Sequence, residues 1–259
     1  MKILKVIGMV IITLVLCSCN DEQVAPKPSD KLLRVLTAGD YPPLTWQNPE
    51  TGKYSGFAID MAHSLGMYLN KKVVFVKTTW AELGSDLMSG KADIAMGGIT
   101  ATPLRKKYFL FSAPVMRTGK TLLIRKADKD KYKTLADVDQ KDVKVVENKG
   151  GTNEIFARRE LKNAKLIIVQ NNTVPFDYLL SGKADVMITD TVEAIYKANI
   201  HPELYAVDPQ NPMEKSCKIY LIPKGNKAFQ EKVNEWLQTV RAEGTVEKYM
   251  KENKIFVHK

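Results

Sequence analysis

Two carboxylates three positions apart, Asp190 and Glu193 in ITDTVEAIY (188–196), stand where an apolar stretch gives way to helical spacing. An Asp at a helix N-cap with a Glu at the third helical position is a capping box, which satisfies backbone N–H groups at the helix start. Residues i and i+3 also share a helix face, so both acids could look into a cleft. Two carboxylates at short range raise one another's proton affinity, and burial adds to the effect, which can keep an acid protonated near neutral pH. Spacing alone leaves cap and acid equally open.

Anion-binding groups are better represented than catalytic signatures. Arg105 follows GGITATPL closely enough to share a cleft with Gly98 and Thr100, and a guanidinium suits bidentate carboxylate recognition. In NKGGTNEIFARRE, Gly151, Thr152 and Asn153 open a helical pattern, so their backbone N–H groups could surround a carboxylate. A turn merely capped by Thr152 is the alternative. Tyr41 and Trp80, each just past a predicted strand, are candidate walls for a ring, or simply rim and core aromatics. There is no HExxH, GxSxG, GxxxxGK followed by Ser or Thr, or CxxC, and the histidines are only His63, His201 and His258. Neither a metal site nor a cofactor is expected from this set.

The elements that must position these groups belong to a chain of 259 residues, 44% hydrophobic and 26% charged, long enough for one or two domains. Lys2 and Lys5 precede VIGMVIITLVL, which ends in CSCN. That pattern predicts a signal peptide over 1–18. Leu16, Ser18 and Cys19 resemble a bacterial lipoprotein box, with Cys19 acylated as the first mature residue. Loss of Lys2 and Lys5 takes the formal charge from +10 to +8. No basic tract with interleaved aromatics accompanies that charge, so small anionic ligands are expected and nucleic acid is not. Cys217 reads as a buried free thiol in CKIYLIP.

Residues 19–31 read as a polar linker, after which LLRVLTA is a strand, GFAIDMAHSLGMYL a helix and KVVFVKTTW a strand. Such alternation predicts an α/β protein with a largely parallel sheet. SGKAD occurs twice, at Ser89 and Ser181, each time before an apolar strand that runs into a polar end: Gly97, Gly98 and Thr100, then Thr189 and Asp190. Two lobes of similar build follow, with both polar ends at one cleft beyond the carboxyl ends of the strands. GKTLLIRK and SCKIYLIPKG are the candidate crossing strands, and the tail KAFQEKVNEWLQTVRAEGTVEKYM would pack back on the first lobe. The expected division is lobe 1 from 32–119 with 219–259, and lobe 2 from 120–218, hinged by the crossings.

Taken together in order, GDYPPLTW, GFAIDMA, GKADIAMGGIT with Arg105, FSAPV, GGTNE and GKADVMITD resemble the type 3 periplasmic solute-binding proteins, amino-acid receptors of ABC transporters. That resemblance implies the periplasmic-binding-protein-like (type II) fold, two lobes joined by two crossing strands with a ligand cleft between. GGTNEIFAR, GKADVMITDTVEA and HPELYAVDPQNP are similar to the periplasmic cyclohexadienyl dehydratases, enzymes on that fold that convert prephenate to phenylpyruvate and arogenate to phenylalanine. The resemblance implies a carboxylate held by Arg105 and Thr100 with Thr152 assisting, and Asp190 at the ligand's amino group. It further implies Glu193 as general acid, Lys120 and Asn148 as polar active-site groups, and Tyr41, Trp80 and Phe176 as cleft aromatics; were Glu193 only a cap, Glu154 would be the next candidate acid. A transporter permease would be a partner only of a non-catalytic receptor, and a lipid on Cys19 would tie either one to a membrane.

Overall fold

The computed structural model describes residues 29–255, and the predicted signal peptide and Cys19 lie outside them. Among the described residues a ten-stranded sheet has the path Lys165–Val169, Lys144–Asn148, Val186–Asp190, Met116–Arg125, Glu214–Pro223, Ile94–Thr100, Leu32–Thr37, Lys72–Lys77, with Leu204–Val207 paired to Met116–Arg125 and Phe109–Phe111 to Glu214–Pro223 off that path. Each end is a parallel group of three, with its first strand in sequence central, its second outermost and its third innermost. The long strands Met116–Arg125 and Glu214–Pro223 run antiparallel to one another and to the innermost strand on either side. The sheet is thus parallel only in its two ends, because a chain that crosses from one group to the other and returns must reverse direction in the middle.

Both SGKAD copies do the same structural work. Gly90 (φ 76°) and Gly182 (φ 73°) take the left-handed conformation that ends the helices Leu83–Met88 and Val174–Leu180, a conformation that glycine adopts without steric penalty. The Asp of each copy then accepts a backbone N–H from the neighbouring central strand, Arg34 N to Asp93 at 2.8 Å and Lys144 N to Asp185 at 2.9 Å. Those bonds fix the register of the two innermost strands, and hence where Thr100 and Asp190 end up.

The apolar side chains gather in four clusters. Two are built from residues between Leu33 and Met116 and beyond Val192, including Trp236, Leu237 and Val246 of the tail. The other two are built from Leu122 to Val207. The tail is two helices, Lys227–Ala242 and Thr245–Glu252, broken at Gly244 (φ 74°), and the first buries Val233, Trp236, Leu237 and Val240 at helical spacing. Cys217 is half-buried, and the buried residue at that point of the strand is Lys218. The apolar context of CKIYLIP therefore hides a charge rather than a thiol.

Candidate active site

Asp190 ends the strand Val186–Asp190 at a place where two cross-strand pairs meet. Lys120 stands opposite Asp190 in the antiparallel ladder, and Lys218 stands opposite Thr100. Directly opposed side chains are close enough to bond. Lys120 Nζ donates to Asp190 Oδ1 at 3.0 Å, and Lys218 Nζ donates to Asp190 Oδ2 at 2.5 Å and to Thr100 Oγ1 at 3.0 Å. Tyr41 O–H adds a third donor to Asp190, at 2.7 Å. Burial acts to raise the Asp190 pKa, but the two ammoniums outweigh it and hold the carboxyl well below the usual carboxylate range. Lys120 spends its other N–H groups on Thr152 Oγ1, at 2.9 Å, and on Asn153 Oδ1.

The expected capping box does not form. Asp190 has the extended backbone of an N-cap before the helix Thr191–Ile200, yet its side chain makes no cap bond; two lysines and a tyrosine take its carboxylate instead. Glu193 is 0% exposed. Its Oε2 accepts from Thr189 Oγ1 at 2.5 Å and its Oε1 from Asn172 Nδ2 at 3.2 Å. Burial, reinforced by the charge of Asp190 and opposed by the Thr189 bond, Lys197 and Lys218, lifts its pKa to about 8. A carboxylic acid in that state is mostly protonated at neutral pH and available to give its proton away.

A small inner cavity of about 20 Å³, room for about one water, is lined by Tyr41, Trp80, Gly98, Thr100, Arg105, Asn148, Gly151, Thr152 and Asp190. It opens past Trp80, Thr100, Arg105 and Thr152, which also line an outer groove of about 1390 Å³. Arg105 Nη1 donates to Thr100 O at 2.8 Å, and burial lowers its pKa to about 10, which leaves it cationic. Tyr41 and Trp80 meet edge to face at 5.7 Å. Gly98 has φ 85°, and a Cβ there would lie 2.5 Å from the Tyr41 ring, so glycine is what lets that ring sit on the strand. Asn148 is buried with its Oδ1 unbonded.

Two further lining residues, Asn172 and Lys218, carry no sequence signal of the kind used above, and Asn153, singled out for its backbone N–H, also lines the cavity. Asn172 Nδ2 bonds both Glu193 and, at 3.0 Å, Asp40 O. Glu193 itself is one residue behind the cavity wall and reaches it through Asn172. Two residues named from the sequence, Phe176 and Glu154, do not line this cavity. Phe176 is not a cavity aromatic; it packs with Leu123 and Val146, and Lys197 Nζ covers its ring at 3.8 Å. Glu154 accepts from Gly150 N at 2.7 Å and pairs with Arg158 at 2.9 Å, so it is already engaged away from the cavity. No group of three or more His, Cys, Asp or Glu among the described residues comes together as metal ligands.

Parallel strand groups joined by two crossing strands, with a polar cavity at their carboxyl ends, define a type II periplasmic-binding-protein-like molecule. The chain belongs to the bacterial extracellular solute-binding proteins, family 3, which it matches over residues 33–254. It is 40% identical to the cyclohexadienyl dehydratase of Pseudomonas aeruginosa, across 85% of this chain and 81% of that one. Its fold is similar to the crystal structure of an ancestral amino acid-binding protein, a precursor of cyclohexadienyl dehydratase: TM-score 0.81, 38% identity, covering 86% of this chain and 95% of the other. An ancestral cyclohexadienyl dehydratase is 51% identical with a TM-score of 0.53, covering 86% and 92%.

Proposed function

We propose that this protein is a cyclohexadienyl dehydratase, which decarboxylates and dehydrates prephenate to phenylpyruvate, arogenate to phenylalanine, or both. The observation that carries this reading is Glu193, a fully buried acid with a pKa near 8, bonded to a residue that lines a cationic cavity. The 40% identity to a cyclohexadienyl dehydratase supports it.

In the reaction the C–C bond to the ring carboxylate breaks and its electron pair moves through the ring. The ring C–O bond then breaks, and Glu193, which comes to face the substrate when the cavity widens, gives its proton to the departing hydroxyl. Prephenate and one proton become phenylpyruvate, CO2 and water, and aromatisation of the ring supplies the driving force. Arg105 and Thr100 hold one carboxylate with Thr152 assisting, Lys120 and Asn148 complete the polar shell, and Trp80 and Tyr41 flank the ring. A positioned general acid contributes roughly 10²- to 10⁴-fold. A cavity with room for about one water must widen to admit substrate. We assign that widening to a hinge between 32–119 with 219–259 and 120–218, flexing at the two crossing strands.

In this reading the mature chain works in the periplasm, held to a membrane by a lipid on Cys19. Incubation with prephenate at neutral pH, followed by detection of phenylpyruvate, tests the enzyme reading. The precursor relationship to an amino acid-binding protein favours one alternative, an amino-acid receptor. A chain that makes no phenylpyruvate but melts at a higher temperature with an amino acid is that receptor.

A further inference from the structure

The parallel group Leu32–Thr37, Lys72–Lys77 and Ile94–Thr100 has two ends, and the cavity uses only the carboxyl end. Its amino end is basic. Lys31 and Lys72 stand side by side there, with Lys72 N donating to Lys31 O at 2.9 Å. Leu221 pairs with Ala95, so Pro223 ends level with the start of Ile94–Thr100. Phe109 pairs with Pro223 in turn, which brings Lys106 and Lys107 to the same end beside Lys224, whose Nζ donates to Lys107 O. All five lysines are exposed, and none forms an ion pair among the described residues. Lys91, also exposed, pairs with Asp86 at 2.6 Å, and Asp30 offsets one of the five charges.

Apolar side chains share that face. Met67 and Tyr68 end the helix Phe57–Tyr68, Met88 ends Leu83–Met88, and Tyr108 ends Pro103–Tyr108. Each helix precedes a strand that starts at this end, so all four side chains are delivered to one face. They are four of the ten large apolar side chains exposed among the described residues, and Met67, at 72%, is the most exposed of them. Lysines interspersed with exposed Met and Tyr fit a surface that is anionic outside and apolar just beneath, the profile of a lipid headgroup layer.

The chain toward Cys19 departs from the same face. Ser29 O accepts the Leu32 N–H at 3.1 Å, and the stretch from Cys19 to Ser29 spans at most about 35 Å when fully extended. A lipid on Cys19 would hold this face within that distance of a membrane.

We propose that the amino end of this strand group is a docking surface for anionic lipid headgroups, which seats the chain on the membrane with its cavity turned away from the lipid. The proposal rests in part on the anchored reading above, but the headgroup contact itself requires neither a lipid on Cys19 nor turnover of prephenate.

Co-sedimentation of the chain from Asn20 to Lys259 with vesicles tests it, since that stretch contains all four apolar clusters and carries no lipid. Binding to phosphatidylglycerol vesicles is expected to be at least about tenfold tighter than to phosphatidylcholine vesicles, and to weaken as salt is raised. Each lysine at an anionic surface is worth roughly fivefold, so Lys31→Glu combined with Lys72→Glu should weaken phosphatidylglycerol binding at least about tenfold. Lys144→Glu combined with Lys165→Glu makes the same change in net charge at exposed strand starts of the other parallel group and should leave binding unaltered. Failure to sediment with phosphatidylglycerol, equal binding to both kinds of vesicle, full binding by the folded Lys31→Glu, Lys72→Glu chain, or an equal loss in the two double variants overturns the proposal. All four side chains are exposed, so both variants should fold; if one does not, the vesicle preference of the unmodified chain decides. A chain that makes no phenylpyruvate yet shows the expected vesicle binding loses the dehydratase reading and keeps this one.

Discussion

Asn172 donates to Glu193 Oε1 at 3.2 Å and to the backbone carbonyl of Asp40 at 3.0 Å through the same amide nitrogen. One side chain thereby joins the buried acid to the segment that carries Tyr41 and, through the Asp40 carboxylate, Trp80. The acid and the aromatic wall are positioned as one unit.

Loss of that unit separates positioning from chemistry. Asn172→Ala removes a donor from Glu193, which raises the acid's pKa further and frees its side chain. The turnover number is expected to fall roughly tenfold, the worth of one buried hydrogen bond, with the alkaline limb of the pH profile moved upward. A fall in kcat with an unmoved limb would leave Asn172 a merely structural residue.

The pH dependence follows from the direction of the Glu193 shift. The group works only while protonated, and its pKa is near 8, raised chiefly by burial. Turnover should be level below that and fall about tenfold per pH unit above it. The same raised pKa contributes stability that is fully present below the ordinary value of 4.5 and is lost as pH rises through about 8. Urea midpoints measured from pH 4.5 to pH 8 should decline accordingly, and Glu193→Gln should flatten the decline. Lys218, lowered to about 8 by burial, loses its charge in the same range, which weakens substrate binding and raises KM rather than reducing kcat.

Gly98→Ala tests the packing of Tyr41. The left-handed φ of 85° and the 2.5 Å approach to the ring should together cost about 1–3 kcal/mol of stability. Chemical denaturation gives that number, and a raised KM for prephenate should accompany it, because a displaced Tyr41 no longer bonds Asp190.

The fold was legible where sequence and local physics agreed. SGKAD is a left-handed glycine followed by a strand-capping aspartate, chemistry that works within a few residues, so its two copies marked both strand groups. The cavity-lining places of Arg105, Thr100 and Thr152 were legible for the same reason, since each follows a strand end or opens a helix. Lys218 was not, because an apolar run around a lysine says nothing about the Asp190 it meets 28 positions away. Asn172 was hidden in the same way, in a turn whose partner lies 132 positions earlier. The capping box failed for a related reason. Local spacing favoured it, and long-range partners of higher charge took Asp190 away.

The most direct measurement is prephenate turnover by Glu193→Gln beside the unmodified protein, with melting temperatures for both. Gln keeps the size of the side chain and a carbonyl acceptor for Asn172 or Thr189, so folding should be nearly intact. Turnover should fall by roughly 10²- to 10⁴-fold. A folded Glu193→Gln protein that produces phenylpyruvate at close to the original rate would contradict the assignment of Glu193 as the acid.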